Sequence, residues 1–341
     1  MKLKVGIYPV IILALVAPLY FYPVLLMKVL CFALFACAFN LLIGFTGLLS
    51  FGHAAFFGGA GYIAGFVLRD LGLSFELALF AGTGFAAAIG VVIGFLAIRR
   101  QGIYFTMITL ALAQMIYFIW LRAPFTGGDD GMQGVPRGTL LGVFDLTNDL
   151  LLYYIVLAVF LGSYFLVWRI VHSPFGQVLA AIKGNEARAI SLGYSVNKYK
   201  ILAFVLSSAL AGLAGASKTV VMGFATLIDA HWIMSGTVIL ITLVGGLGTF
   251  FGPVVGAIII VALENKLGAL GGFLASATSL EWFRGLEAST SIVMGLLFVL
   301  CVLAFRRGVV GEFNHIIQRM RKRRVKEGLI DQKNGTLHSV P

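Results

Sequence analysis

The side chains able to do acid–base, nucleophilic or metal chemistry are few in this sequence, and they do not cluster. Its 341 residues hold five histidines, three cysteines and 14 aspartates and glutamates. There is no G-x-x-x-x-G-K-[ST] loop to cradle nucleotide phosphates, no H-E-x-x-H to hold zinc and no G-x-S-x-G to present a nucleophile. Cys31, Cys37 and Cys301 lie in apolar runs without a C-x-x-C partner, which suits buried small hydrophobes and not a disulfide framework. His315 and His338 fall in the C-terminal stretch. The sequence predicts no catalytic residue, no metal site and no cofactor on this chain; it is read as a non-enzyme.

Ionisable groups inside apolar segments are functional candidates, because a charge in lipid is costly. His53, Lys218 and Glu264 qualify. Lys218 lies near a segment end, where a lysine is expected to snorkel to the interface. Glu264 stands two residues before Lys266, a position that suits the interface. His53 has two readings, a satisfied structural histidine or a substrate contact. It sits in the run Gly44–Gly65, GFTGLLSFGHAAFFGGAGYIAG, where seven residues are glycine and Thr46, Ser50 and His53 interrupt the apolar surface. So much glycine specifies a helix poorly. The run therefore predicts a bent or broken helix, either simply close-packed or building a substrate site as broken helices do in transporters. Gly61 and Gly65, Gly90 and Gly94, Gly252 and Gly256, and Gly268 and Gly272 are spaced for close helix approach. So little interior charge argues against a proton- or ion-driven transporter.

The elements that must position these residues are membrane-spanning. The chain is 60% hydrophobic and 11% charged, with 42 glycines and a mean hydropathy of +1.00. At roughly 20 apolar residues per span, that composition accommodates about ten spans. It excludes a soluble enzyme, a secreted disulfide scaffold and a disordered chain. Apolar segments run at about 6–26, 29–49, 53–68, 77–97, 103–121, 151–168, 201–222, 233–249, 252–268 and 289–305. The expected fold is an all-α polytopic helical bundle of about 8–10 membrane segments, some broken or re-entrant. Only a few residues around Lys28 separate the first two segments, which predicts a tight hairpin or one bent pair, and the run after Lys2 and Lys4 reads as a first span, not a cleaved signal.

Charge sorts by side. Residues 1–5, 98–102, 169–200 and 306–341 hold 18 of the 25 Lys and Arg but 4 of the 14 acids. The remainder holds 7 basic and 10 acidic residues. The positive-inside rule then places both termini in the cytoplasm. It also turns a net charge of +11 into a statement about topology; no nucleic-acid partner is implied. Residues 1–305 read as the membrane domain and 306–341 as a basic tail held by anionic inner-leaflet lipid.

Two loops stand out. The outside loop, 122–150, carries Asp129, Asp130, Asp145 and Asp149 against Arg122 and Arg137. The cytoplasmic loop, 169–200, carries helix punctuation. Ser173-Pro174 supplies an N-cap and an N1 proline, Gly184 ends that helix, Asn185 caps a second helix over 186–192, and Gly193 terminates it. Two short capped helices predict a built contact surface, the alternative being a loop folded back on the bilayer.

Four motifs, in order, resemble one family: Asn40–Gly65, Thr126–Pro136, Asn185–Gly215 and Thr242–Ala257. They are similar to the permease subunits of branched-chain amino acid ABC transporters, the LivM-type member of the permease pair, over roughly 28–305. Urea-transport permeases are relatives with similar motifs. The resemblance implies an ABC importer permease fold and an ATPase-docking loop of the form E-A-A followed by glycine. Glu186 and Ala187 match that form, Arg188 stands where the second alanine would be, and Gly193 falls one residue late. The resemblance further implies a multi-pass protein of the bacterial inner membrane. It implies a second homologous permease, two ATP-hydrolysing subunits and a periplasmic binding protein as partners. The cargo implied is a branched-chain amino acid; urea or a related small solute, or an ATP-independent secondary transporter, are the alternatives. Thr46, Ser50, His53, Thr106, Thr109 and Gln114 are candidates to line the path. Asp129 and Asp130 are candidates to dock the binding protein.

Overall fold

The computed structural model describes residues 14–278 except 141 and 143, together with 295–296, 299 and 308–312. Side chains of the segment 267–278 are not described. Most of the expected span 289–305, most of the basic tail and the first part of segment 6–26 therefore lie outside the described residues, as do the surroundings of the Gly268/Gly272 pair.

The helices are α1 (Pro23–Thr46), α2 (His53–Arg69), α3 (Phe75–Ala97), α4 (Ile103–Arg122) and α5 (Asp149–Val171), followed by α6 (Pro174–Gly184) and α7 (Glu186–Ser191). Then come α8 (Val196–Met222), α9 (Leu227–Ala230), α10 (Trp232–Gly245) and α11 (Gly252–Thr278). A two-residue hairpin, β1 (Thr139–Leu140) with β2 (Phe144–Asp145), sits in the α4–α5 connection. Among the described residues, α1, α3, α4, α5 and α8 are long and apolar enough to cross a membrane. The polytopic helical fold read from composition is the fold observed. By contrast α2 and α10, at 17 and 14 residues, fall short of the roughly 20 a span needs. Both border a break in the backbone.

The tight hairpin at Lys28, one of the two arrangements expected there, does not form: a single helix continues through it. Pro23 starts α1 at its first position after an extended Tyr22, as proline demands of itself and of the residue before it. The helix then runs straight through Lys28, whose ammonium pairs with Glu264 on α11 at 3.2 Å. Apolar periodicity alone saw the charge and missed the proline five residues earlier.

The long helix α8 packs against α1, α2 and α3, and α11 packs against α1 and α10. Glycine makes these approaches possible. A Cβ on Gly215 would stand 1.9 Å from Phe57 O, on Gly90 1.9 Å from Ser208 Oγ, and on Gly256 2.0 Å from Ile241 O. Gly61 meets Thr219 of α8, and Gly65 meets Met132 in the α4–α5 connection. Three of the four spaced glycine pairs thus lie at close contacts, as small residues do between membrane helices.

Lys218 does not snorkel. It is buried on α8 and pairs with Asp229 of α9 at 2.5 Å, each side chain 8% exposed. Asp229 also accepts from Thr226 N–H and Oγ1 in a capping box. A fixed counter-charge beside it removes the need to reach water.

Candidate functional site

Two interruptions of helical backbone define the site: residues 47–52 between α1 and α2, and 246–251 between α10 and α11. Irregular backbone among membrane helices persists only where protein satisfies its polar groups. At the first break, Thr106 Oγ1 donates to Leu49 O at 2.9 Å, and Phe51 N–H donates to Thr109 Oγ1 at 3.3 Å. Ser235 of α10 donates to Phe51 O at 2.7 Å and accepts from Ala54 N–H at 2.9 Å. Ser50 Oγ accepts from Gly52 N–H, and Thr46 Oγ1 donates back to Leu42 O. Gly47 opens the break at φ +77°, a left-handed turn that side chains resist.

The second break leans on the first. Asn40, buried in α1, accepts from Gly248 N–H and donates to Thr249 O, both at 2.9 Å. Gly44, one turn further along α1, meets Gly248 backbone to backbone: a Cβ on it would lie 3.0 Å from Gly248 Cα. Tyr164 of α5 donates to Phe250 O at 3.3 Å.

His53 opens α2 and is fully buried. Its Nε2 lies 2.8 Å from Ser207 Oγ, and Ser207 donates its own proton to Ala38 O at 2.5 Å. The serine proton being committed, Nε2 carries the histidine proton and donates, leaving Nδ1 as a bare acceptor. Phe39, Phe56 and Phe204 stand edge-on around the ring, their centroids 5.1–6.1 Å away. One chain of hydrogen bonds thus joins α1, α2 and α8.

So the structure gathers Thr46, Ser50, Thr106 and Thr109 at one place, with their hydroxyls engaged by backbone. His53 stands beside them, while Gln114 lies half-buried two turns beyond Thr106 on α4. A cavity of about 570 Å³ lies elsewhere, between α3 and α5, lined by Phe75, Leu79, Phe80, Val159 and Leu213 among others. Among the described residues there is no group of three His, Cys, Asp or Glu able to hold a metal ion.

The 169–200 loop is built as its punctuation predicts. Ser173 Oγ accepts from Gly176 N–H to cap α6, and Asn185 Oδ1 accepts from Arg188 N–H to cap α7. Gly193 N–H donates to Ile190 O and Tyr194 N–H to Ala189 O, a Schellman closure with Gly193 at φ +86°. Ile182, Ala189 and Val196 form a separate small core. Glu186 reaches Lys200, at the foot of α8, at 2.7 Å; the lysine side chain is 5% exposed. Ala187, Arg188, Ile190 and Leu192 face outward.

At the opposite end of the bundle, the α4–α5 connection is pinned by Met132 and Ala225, which exchange backbone hydrogen bonds at 2.8 and 2.9 Å. Arg137 joins Thr147 O and Asp149. Asp129 and Asp130 remain exposed on this fixed platform.

Sequence reasoning missed Asn40, Lys183, Lys200, Ser207, Ser235 and Asp229. Asn40 alone carried a signal, an amide inside a 24-residue apolar helix, where an unsatisfied polar group is expensive. The serines look like ordinary small helix residues until their partners are seen.

Residues 23–302 match the family model described as branched-chain amino acid transport system, permease component. The chain belongs to this permease family. The branched-chain amino acid permease protein LivM of Escherichia coli (strain K12) is 28% identical over 251 residues, 67% of this chain and 59% of LivM. The ribose import permease RbsC of the same organism is 29% identical over 210 residues, 57% of this chain and 62% of RbsC. The autoinducer 2 import permease LsrC of Klebsiella pneumoniae is 27% identical over 176 residues, 50% of this chain and 48% of LsrC. The permease chain therefore spans about three fifths or less of the length of these relatives.

The capped loop of this permease has a direct test. Gly193→Val forces a branched side chain into a left-handed turn, costing about 1–3 kcal/mol locally, while nothing lies within 4 Å to clash. The expected result is membrane insertion retained with faster backbone amide exchange over 186–194; Glu186→Trp, which breaks the tie to Lys200, should speed exchange there too. Wild-type exchange in both variants would mean that neither the turn nor the ion pair holds the loop.

Proposed function

We propose that this chain is the permease subunit of an ATP-driven importer of branched-chain amino acids in the bacterial inner membrane, with both termini cytoplasmic. A homologous permease completes the path, two cytoplasmic subunits hydrolyse ATP, and a periplasmic binding protein delivers cargo. The observation that carries this reading is the 169–200 loop: a rigid, capped two-helix unit, basic outside Glu186, with Ile190 and Leu192 57% and 71% exposed. Apolar side chains held out on a basic platform beyond the spans suit a protein partner. Glu186, Ala187, Arg188 and Gly193 form the ATPase-coupling surface. The path runs past the 47–52 break, with Thr46, Ser50, His53, Thr106 and Thr109 shaping its wall and Gln114 on the same helix as the two threonines. Asp129 and Asp130 present negative charge to the binding protein. LivM at 28% identity favours an apolar amino acid as cargo.

The RbsC and LsrC matches, of similar identity over shorter stretches, favour a second reading in which the cargo is a small polar solute. Proteoliposomes carrying the complete complex separate the two. ATP-dependent leucine accumulation that ribose does not compete is expected. Ribose uptake without leucine uptake would select the second reading, and flux through this chain alone without ATPase would overturn both.

A further inference from the structure

We infer that Lys183 is the positioning residue that ties the 169–200 loop to both backbone breaks, so that they move together; this rests on the importer reading above. Lys183 is in the last turn of α6. Its ammonium donates to Gly44 O at 2.6 Å, and its aliphatic stem packs at Gly47, with Cγ 3.2 Å from where a Cβ would stand. Gly44 belongs to the last turn of α1, where helix carbonyls lack partners within the helix and the dipole is negative. That turn holds no basic residue of its own, so the cation arrives from the loop.

From Gly44 the contact continues without a gap. Gly44 abuts Gly248, and Asn40, four residues earlier on the same face of α1, bonds Gly248 and Thr249. A displacement of α6 through Lys183 therefore acts on the 47–52 and 246–251 segments at once. At its other end α6 packs backbone to backbone on the end of α5, so closely that a Cβ on Gly176 would lie 2.1 Å from Val171 O. The helix thus rests on the end of α5 at Gly176 and grips α1 through Lys183.

The two halves of this inference are tested separately. For the tie, backbone amide exchange is measured on the purified chain. Lys183→Met is expected to speed exchange about tenfold in both 44–52 and 246–251, and Lys183→Arg to restore protection. Unchanged exchange in either segment overturns the tie, whatever the protein transports. For transmission, the complete complex is reconstituted. Lys183→Met is expected to keep ATP hydrolysis while leucine moved per ATP falls about tenfold, within the range of ordinary coupling energies; Lys183→Arg recovers the ratio. A wild-type ratio in Lys183→Met overturns transmission. ATP hydrolysis falling in step with uptake also overturns it, since that is a simple docking or folding defect. Absence of ATP-dependent uptake by the unmodified complex is the separate failure of the importer reading, and it overturns transmission with it but not the tie.

Discussion

Asp229→Ala is expected to destabilise the protein by about 3–5 kcal/mol, the usual cost of removing one partner from a buried ion pair. The Lys218 ammonium would be left 8% exposed on a candidate membrane-spanning helix, without the carboxylate that stands 2.5 Å from it. The Phe224 ring, 4.9 Å from the ammonium, offers attraction of about 0.5–2 kcal/mol and cannot replace the carboxylate. The same substitution breaks the capping box at Thr226 that shapes α9. Because α9 seats against α2 at Gly58, where a Cβ would be 2.4 Å from Ala230 N, its loosening should propagate to the α2–α8 contact. The measurement is thermal unfolding in detergent of Asp229→Ala, Lys218→Met and the double variant. Removing both charges abolishes the unpaired ion, so the double variant should be more stable than Asp229→Ala alone. Strict additivity of the two single losses would show that the pair is not coupled.

That pair also shows where sequence reasoning stops. Local chemistry was legible: Ser173, Asn185 and Gly193 act on backbone two to four residues away, and α6 and α7 form where their punctuation puts them. The apolar segments from α2 onward begin and end within a few residues of the observed helices, except that α11 runs on to Thr278. What escaped was long-range pairing. Lys218 looked like a snorkelling lysine because Asp229 lies eleven residues on, past a turn that redirects the chain. Lys28 looked like a turn because Glu264 is 236 residues distant. The hydroxyls at 46, 50, 106 and 109 were visible as polar interruptions. Their use on broken backbone became apparent only when α4 and α10 were seen packed beside residues 47–52. A hydroxyl in an apolar run has the same sequence signature whether it meets cargo or a bare carbonyl.

Gly215→Val is expected to abolish folding of the bundle, and Gly215→Ala to cost at least about 3 kcal/mol, the upper end of overpacking penalties. The reason is the identity of the atoms met. A Cβ at position 215 would lie 1.9 Å from Phe57 O, 2.6 Å from Phe57 C and 2.9 Å from Phe57 Cα. Side chains can rotate away from a new methyl group, but backbone within two packed helices cannot. Relief requires α2 and α8 to separate. Separation would in turn strain the His53–Ser207–Ala38 chain, because His53 lies one turn before Phe57 on α2 and Ser207 about two turns before Gly215 on α8. The control lies on α5, where nothing stands within 4 Å of a Cβ on Gly162. Gly162→Ala there should gain up to about 1 kcal/mol of helix propensity. Melting temperature and detergent-solubilised yield of the three variants decide the matter: comparable losses at 162 and 215 would mean that glycine serves flexibility here. Loss at 215 alone means that it serves the closeness of two helices, on which the geometry of the first break depends.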